Sequence, residues 1–222
     1  MRWQRSIGSI GLCCLIAGCA DRAPQEPALY VVKPQDTLYS IAWRSGVDFH
    51  DLARWNGIGP DFHIAIGQVL KLSPSQRAPP LAANRKSESR DNAKPSAPAS
   101  PSSLAWAWPT DRLSAPQPSL SGGIILQGRE GQDIRAASSG RVVYTGTGIR
   151  GYGNLIIIKH GENLLSAYAH NRDSMVHEGQ EVTLGQIIGH MGEGAPQKPA
   201  LYFEIRRNGK PVDPLAFLPS SR

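Results

Sequence analysis

The sequence predicts a multidomain protein: a small α+β unit ordered strand, helix, helix, strand, then an all-β unit, the two joined by a disordered linker. Three observations carry this reading. Apolar residues recur at helical spacing between Leu38 and Trp55, flanked by two short β-forming runs. From Trp106 onward short β-rich runs return, separated by glycines. The chain holds 18 prolines among 222 residues, and their clustering marks linkers between compact parts.

The N-terminus reads as a secretion signal. Arg2 and Arg5 precede an apolar run from Ile7 to Ile16, followed by Ala17, Gly18 and Cys19. As a helix that run would be roughly 15 Å long, about half the hydrocarbon core of a bilayer, so it is not a stable span. It suits a secretory apolar region over 1–18, with a tether over 19–28. The sequence LIAGC resembles the lipobox of bacterial lipoproteins, which implies lipidation at Cys19. A plain signal peptide with an incidental cysteine is the alternative. Cys13 and Cys14 would leave with the signal, so the mature chain would contain no pair for an internal disulfide. Ala20 in place of aspartate after the cysteine resembles the outer-membrane sorting rule of Gram-negative bacteria. Several acyl chains then anchor the protein, at about 0.8 kcal/mol per buried methylene. The formal charge is +6, which falls to +4 when Arg2 and Arg5 are removed. A small basic excess suits an anionic surface such as cell wall or headgroups, and no nucleic-acid stripe or motif is present.

Between 29 and 73 each element has a local cause. Tyr30, Val31 and Val32 are β-formers stopped by Pro34. Asp36 and Thr37 supply oxygens for a helix start, Leu38, Ile41 and Ala42 form its apolar face, and Gly46 ends it. Asp48 starts a second helix, with Leu52 and Trp55 inward and Asn56-Gly57 as its stop, and Gln68 to Leu72 closes as a strand. The stretches YVVKPQDTLYSIAWRSGV, LARWNG and IGQVLKL resemble a LysM module. That resemblance implies a shallow groove for N-acetylglucosamine-containing glycans between the loops around Gln35, Asp36 and Thr37 and around Ile58 to Ile66. Gln35 stands where glycine is usual. Asp36 and Thr37 also serve as helix caps, so contact with glycan would come mainly from the backbone.

Residues 74–105 change to Pro, Ser, Ala and Asn with scattered charges, which is the composition of a disordered linker. It would reach roughly 100 Å when stretched and nearer 30 Å when relaxed. Over 106–219 the β-rich runs are Ile124 to Leu126, Arg141 to Thr145, Leu155 to Lys159, Leu164 to Ala169, Gln186 to Ile188 and Leu201 to Arg206. Gly161-Glu162-Asn163 between two of them reads as a hairpin turn.

The stretches GRVVYTG, GYGNLIIIKHGENLLSAYAH, VHEGQEVTLGQIIGHMG and LYFEIRRNGKPVDPLAFLP resemble LytM-type (lysostaphin-like) zinc metallopeptidases. The combination of lipobox, LysM and LytM-like domain resembles the NlpD-type murein hydrolase activators. Active LytM members hold zinc by a histidine and an aspartate spaced HxxxD and by the second histidine of an HxH. Those positions fall here on Ser121, Ile125 and Tyr202, with Ala200 at the first position of the HxH. Zinc needs nitrogen, sulfur or carboxylate donors at about 2.0–2.3 Å, and this set offers none without ionising a phenol. Asp133 is an alternative for the second position. No histidine lies between His63 and His160, so no register restores the first ligand.

The remaining histidines form no substitute site. His160 and His170 fall toward opposite ends of the predicted hairpin ladder, and His177 and His190 are expected in loops without a paired acid. His50 and His63 belong to the first unit. The resemblance therefore implies a degenerate groove gathering Ser121, Ile125, Tyr168, His170, Ala200, Tyr202 and Glu204, with no metal, no cofactor and no catalytic residue. Such a groove is either plugged and inert or a seat for a helix or peptide of another protein.

The family implies activation of a periplasmic zinc N-acetylmuramoyl-L-alanine amidase during septal splitting of peptidoglycan and daughter-cell separation. The implied contacts are peptidoglycan, the amidase and the outer membrane. Two other readings stay open: a metal-dependent endopeptidase with a non-standard site, and a structural tether between outer membrane and wall.

Overall fold

The computed structural model describes residues 28–74, 104–194 and 198–220. The expected signal 1–18, Cys19, nearly all of the tether 19–28 and nearly all of the linker 74–105 lie outside the described residues.

The first unit has the expected order: β1 (Leu29–Val31), α1 (Leu38–Ser45), α2 (Phe49–Asn56) and β2 (Val69–Lys71). The two strands pair antiparallel with Tyr30 opposite Leu70. Helix α1 starts in a reciprocal capping box. The Ser40 N–H donates to Thr37 Oγ1 at 3.1 Å, and the Thr37 N–H donates to Ser40 Oγ at 3.0 Å. Gly46 ends the helix at φ 67° and Gly57 ends α2 at φ 64°, left-handed positions that glycine takes without strain. Asp48 caps α2 by accepting from the His50 N–H at 2.9 Å. Leu38, Ile41, Leu52 and Leu70 are fully enclosed between helices and strands.

The second unit is all-β, as expected. Its strands are β3 (Gln117–Pro118), β4 (Ile124–Gln127), β5 (Asp133–Arg135), β6 (Gly140–Gly146), β7 (Asn154–His160), β8 (Leu164–Ser174), β9 (Glu181–Val182), β10 (Ile187–Met191), β11 (Glu193–Gly194), β12 (Lys198–Arg207) and β13 (Lys210–Val212). A short 3₁₀ turn, Pro214–Ala216, follows. The main sheet runs β3-β4-β12-β8-β7-β6-β9, and β10 joins β8 to β5. The β7–β8 hairpin closes around residues 161–163, with His160 opposite Leu164. Five strands of two or three residues (β3, β5, β9, β11 and β13) went unanticipated, because runs that short carry no readable periodicity.

Both faces of the central sheet are apolar. One face carries Ile156, Ile158, Tyr168, Leu201, Phe203 and Ile205, and it closes over Ile134, Val142, Val182, Ile188 and Met191. The other face presents Leu155, Ile157, Leu165, Ala167, Ala169 and Tyr202, which form one continuous buried cluster with the first unit's Ile41, Ala42, Trp43 and Phe49. The α+β unit therefore covers the sheet, a contact that a linker of this composition does not announce. Contact is close enough to involve backbone. A Cβ added at Gly209 would lie 2.5 Å from the Asp48 nitrogen.

A charged pair lies within this apolar contact. Glu204 is fully buried and Arg206 is 7% exposed. The Arg206 guanidinium donates to Glu204 Oε1 at 2.6 Å and to the Trp43 carbonyl at 2.7 Å, and it stacks 3.7 Å from the Trp43 ring. Arginine suits this position, since its planar, weakly hydrated cation can pair and stack at once. Arg206→Ala would leave Glu204 buried beside no countercharge, and should cost roughly 3–5 kcal/mol of stability in urea unfolding. A loss below about 1 kcal/mol, typical of a surface pair, would contradict this placement.

His160 is a core histidine, 1% exposed. Its ring nitrogens lie 2.8 Å from the Ser139 carbonyl and 2.6 Å from Ser166 Oγ. Burial lowers its pKa to about 4. The unfolded chain takes up this proton near pH 6.5 and the folded chain only near pH 4, so stability is complete above the first value and falls as pH drops toward the second. The expected loss between pH 7 and pH 4.5 is roughly 2 kcal/mol, read as a shift in urea midpoint that flattens in His160→Gln.

Candidate functional site

Tyr202 and Ala200 lie on β12, with Ile125 directly opposite Tyr202 on β4. Ser121 stands in the turn before β4, and His170 and Tyr152 approach from the other side. Together with Ser119, Gly151 and Gly194 they line a cavity of about 280 Å³. The alignment that places the degenerate positions on Ser121, Ile125, Ala200 and Tyr202 thus brings them together in space. Asp133 sits on β5 and pairs with Arg135 at 2.7 Å, away from this cavity.

The Tyr202 phenol is held firmly. Its hydroxyl donates to Glu204 Oε2 at 2.6 Å, and the ring meets Tyr152 edge-on at 5.6 Å. Gly123 makes room for it, since a Cβ there would lie 2.7 Å from Tyr202 Cζ. Burial raises the phenol pKa, and the Glu204 bond and charge raise it further. The hydroxyl is a proton donor to a carboxylate, the opposite of an ionised metal ligand. Ser121 is neutral and Ile125 has no lone pair, so the residues present do not fit the zinc of the LytM resemblance. Among the described residues no three His, Cys, Asp or Glu side chains gather as a metal cluster.

Three expected placements need correction. Tyr168 is not in the cavity: it lies on the opposite face of the sheet, fully buried, accepting from the Ala137 N–H at 2.8 Å. Strict alternation would put Tyr168 and His170 on one side. His170 has φ 64°, a left-handed turn of the backbone, and the β7–β8 register shifts between Asn154 and Ile156, so the strand's parity breaks between the two. Glu204 does not line the cavity, but anchors Tyr202 from beneath. His190 is on β10 rather than in a loop, with Nδ1 2.7 Å from Asp173 Oδ1. His170 itself is half-buried at the cavity wall, and burial lowers its pKa.

In the α+β unit, Asp36 is saturated by structural bonds: it accepts from Tyr30 Oη at 2.7 Å, from the Lys33 N–H at 2.9 Å and from Arg44 at 2.8 Å. Arg44 and the two other donors hold its pKa below the usual carboxylate value against the opposing effect of burial, the largest single influence. Thr37 is engaged in its capping box, and Ile58 packs against the core with its N–H donated to the Ala53 carbonyl. Gln35 adopts φ 68°, which explains why a glycine suits that position. The loops do flank a cleft, and its side-chain lining includes Tyr39, Phe62 and, from the sheet domain, Arg141, none of which stood out in the sequence.

Known proteins match both units. The LysM domain model covers residues 30–73 and the model of peptidase family M23 covers residues 119–214. A Pseudomonas aeruginosa protein named Lipoprotein NlpD/LppB homolog is 43% identical over 90% of this chain and 80% of its own length. The Escherichia coli protein named Uncharacterized lipoprotein YgeR is 38% identical over 95% of this chain and 90% of its own. Murein hydrolase activator NlpD of Escherichia coli is 34% identical over 86% of this chain and 67% of its own. On its domain order and on identity sustained through both domains, the chain belongs to the NlpD family of LysM–M23 lipoproteins.

Proposed function

We propose that this protein is a non-catalytic activator of a periplasmic N-acetylmuramoyl-L-alanine amidase, held at the outer membrane by lipid on Cys19 and facing the wall, where it acts in septal splitting. The observation that carries this reading is a peptidase cleft that keeps its cavity while every metal-ligand position is occupied by Ser121, Ile125 or a phenol that donates its proton to Glu204. A cleft whose residues cannot hold a cation lacks the metal-bound water that LytM-type peptidases use, and Tyr152, Ile125, Ala200 and Tyr202 give it an apolar and aromatic lining suited to a peptide or helix. Relatives named murein hydrolase activators support the same assignment. The LysM module supports attachment to peptidoglycan glycan.

Activation by this route is a population shift. An amidase closed by its own regulatory segment moves from 1:99 to 99:1 open when the open form binds more tightly by roughly 5.5 kcal/mol. Burial of two or three apolar side chains at roughly 1.5–3 kcal/mol each supplies that difference.

The test is dye release from labelled sacculi by purified periplasmic amidases, each with and without the full chain. At least one amidase should be stimulated, and Tyr152→Ala, which removes an aromatic wall of the cavity, should weaken stimulation by about tenfold or more, as expected for an interface aromatic. Stimulation of no amidase, with sacculus binding intact, would leave only a tether between membrane and wall.

A further inference from the structure

The covering of the sheet by the LysM module places its glycan loops against the neighbouring domain. The cleft beside Thr37 and the 61–64 loop, about 480 Å³, has Arg141, Val142, Glu178 and Gly179 of the sheet domain as its other wall. A second cleft of about 430 Å³ adjoins it, lined by Tyr39 and Phe62 on one side and by Arg141, Lys159 and Glu181 on the other. Tyr39, Asp61, Phe62 and Arg141 belong to both, so the two clefts lie side by side along the seam and are taken together as one channel. A linear polymer fits such a channel better than a compact ligand does.

The lining chemistry is that of a sugar site. Pyranose rings have apolar C–H faces and hydroxyl rims. Tyr39 and Phe62, 5.7 Å apart and edge-to-face, offer aromatic surface for the former. Arg141, paired with Glu181 at 2.6 Å, and Glu178, which accepts from the Thr145 N–H at 3.2 Å, keep further charged donor and acceptor positions for the latter. Arg141, Asp61, His63 and Glu178 are exposed, so the docked module leaves the channel open to solvent. Two loop residues that flank it, Gln35 at φ 68° and Phe62 at φ 54°, hold left-handed backbone without being glycine, a strain that clusters at ligand sites.

We propose that the seam is a two-domain glycan site, in which a polymer of N-acetylated hexosamines lying on the LysM loops is also held by Arg141 and Glu178 of the M23-like domain. The proposal rests on the glycan-binding part of the function above, and not on the amidase part. Its consequence is linkage: bound glycan touches both domains and so stabilises their docked arrangement, which includes the Trp43 and Tyr152 rings that meet edge-on at 6.4 Å behind the partner cavity.

The experiment titrates the full chain, purified in detergent, with a chitin hexamer by calorimetry, and repeats the titration with Arg141→Ala, Glu178→Gln and, as a control outside the channel, Arg150→Ala. The first two should each raise Kd by roughly three- to tenfold, the range of one ordinary lost hydrogen bond at an exposed site, and the control should not. Hydrogen exchange should show hexamer-induced protection at 35–37 and 60–64 and also at 140–143 and 177–179. Unchanged Kd in both variants, with protection confined to the LysM loops, overturns the two-domain site while leaving glycan binding in place. Tighter binding by a folded Arg206→Ala chain would show that the seam masks the groove and would also overturn it. No hexamer binding at all would remove the glycan reading itself, whereas amidase stimulation on soluble muropeptides reports on the activator reading independently.

Discussion

A sheet that is apolar on both faces must be covered on both, and this requirement organises the molecule. Alternate residues of β7 and β8 send Ile156, Ile158 and Tyr168 one way and Leu155, Ile157, Leu165 and Ala167 the other, all buried. The short strands of the M23-like domain cover the first set. The LysM module covers the second, and Arg206, clasped between Glu204 and Trp43, fixes where it sits. From that docking follow the position of the 35–37 and 60–64 loops at the seam and the aromatic contact of Trp43 with Tyr152 at the edge of the cavity.

The same constraint accounts for the electrostatics of the degenerate site. Glu204 is a carboxylate in a place without water, and a buried negative charge needs a partner. In this chain the neutralising cation is the guanidinium of Arg206, and the second carboxylate oxygen accepts the Tyr202 hydroxyl. Tyr202, Glu204 and Arg206 form a continuous chain of polar contacts from the cavity wall to the LysM backbone. A metalloenzyme cleft has thus become a satisfied hydrogen-bond network beneath a surface with room for a partner.

Much of this was legible in the sequence because it is local. Thr37 and Gly46, and Asp48 and Gly57, announce two short helices through the caps they must provide, and the Gly161 turn announces the β7–β8 hairpin. The loss of zinc ligands was legible as well, since an isoleucine and a serine fail chemically in any geometry. What stayed hidden depends on tertiary context. A run such as LIII, residues 155–158, is apolar at every position, so it does not say that its second face awaits a separate module across a proline-rich linker. Strict alternation puts Tyr168 on the cavity side; the left-handed His170 changes strand parity, and neither residue type signals that. Arg141 and Phe62 read as ordinary surface and loop residues until docking sets them opposite each other.

The central claim is that the cleft inherited from a metallopeptidase keeps its shape through Tyr202, Glu204 and Arg206, without a catalytic cation. Elemental analysis of the purified full chain after equilibration with excess zinc and gel filtration tests this most directly. The account predicts zinc far below one ion per molecule, unchanged in Tyr202→Phe. One tightly retained ion per chain, lost with that substitution, would contradict it.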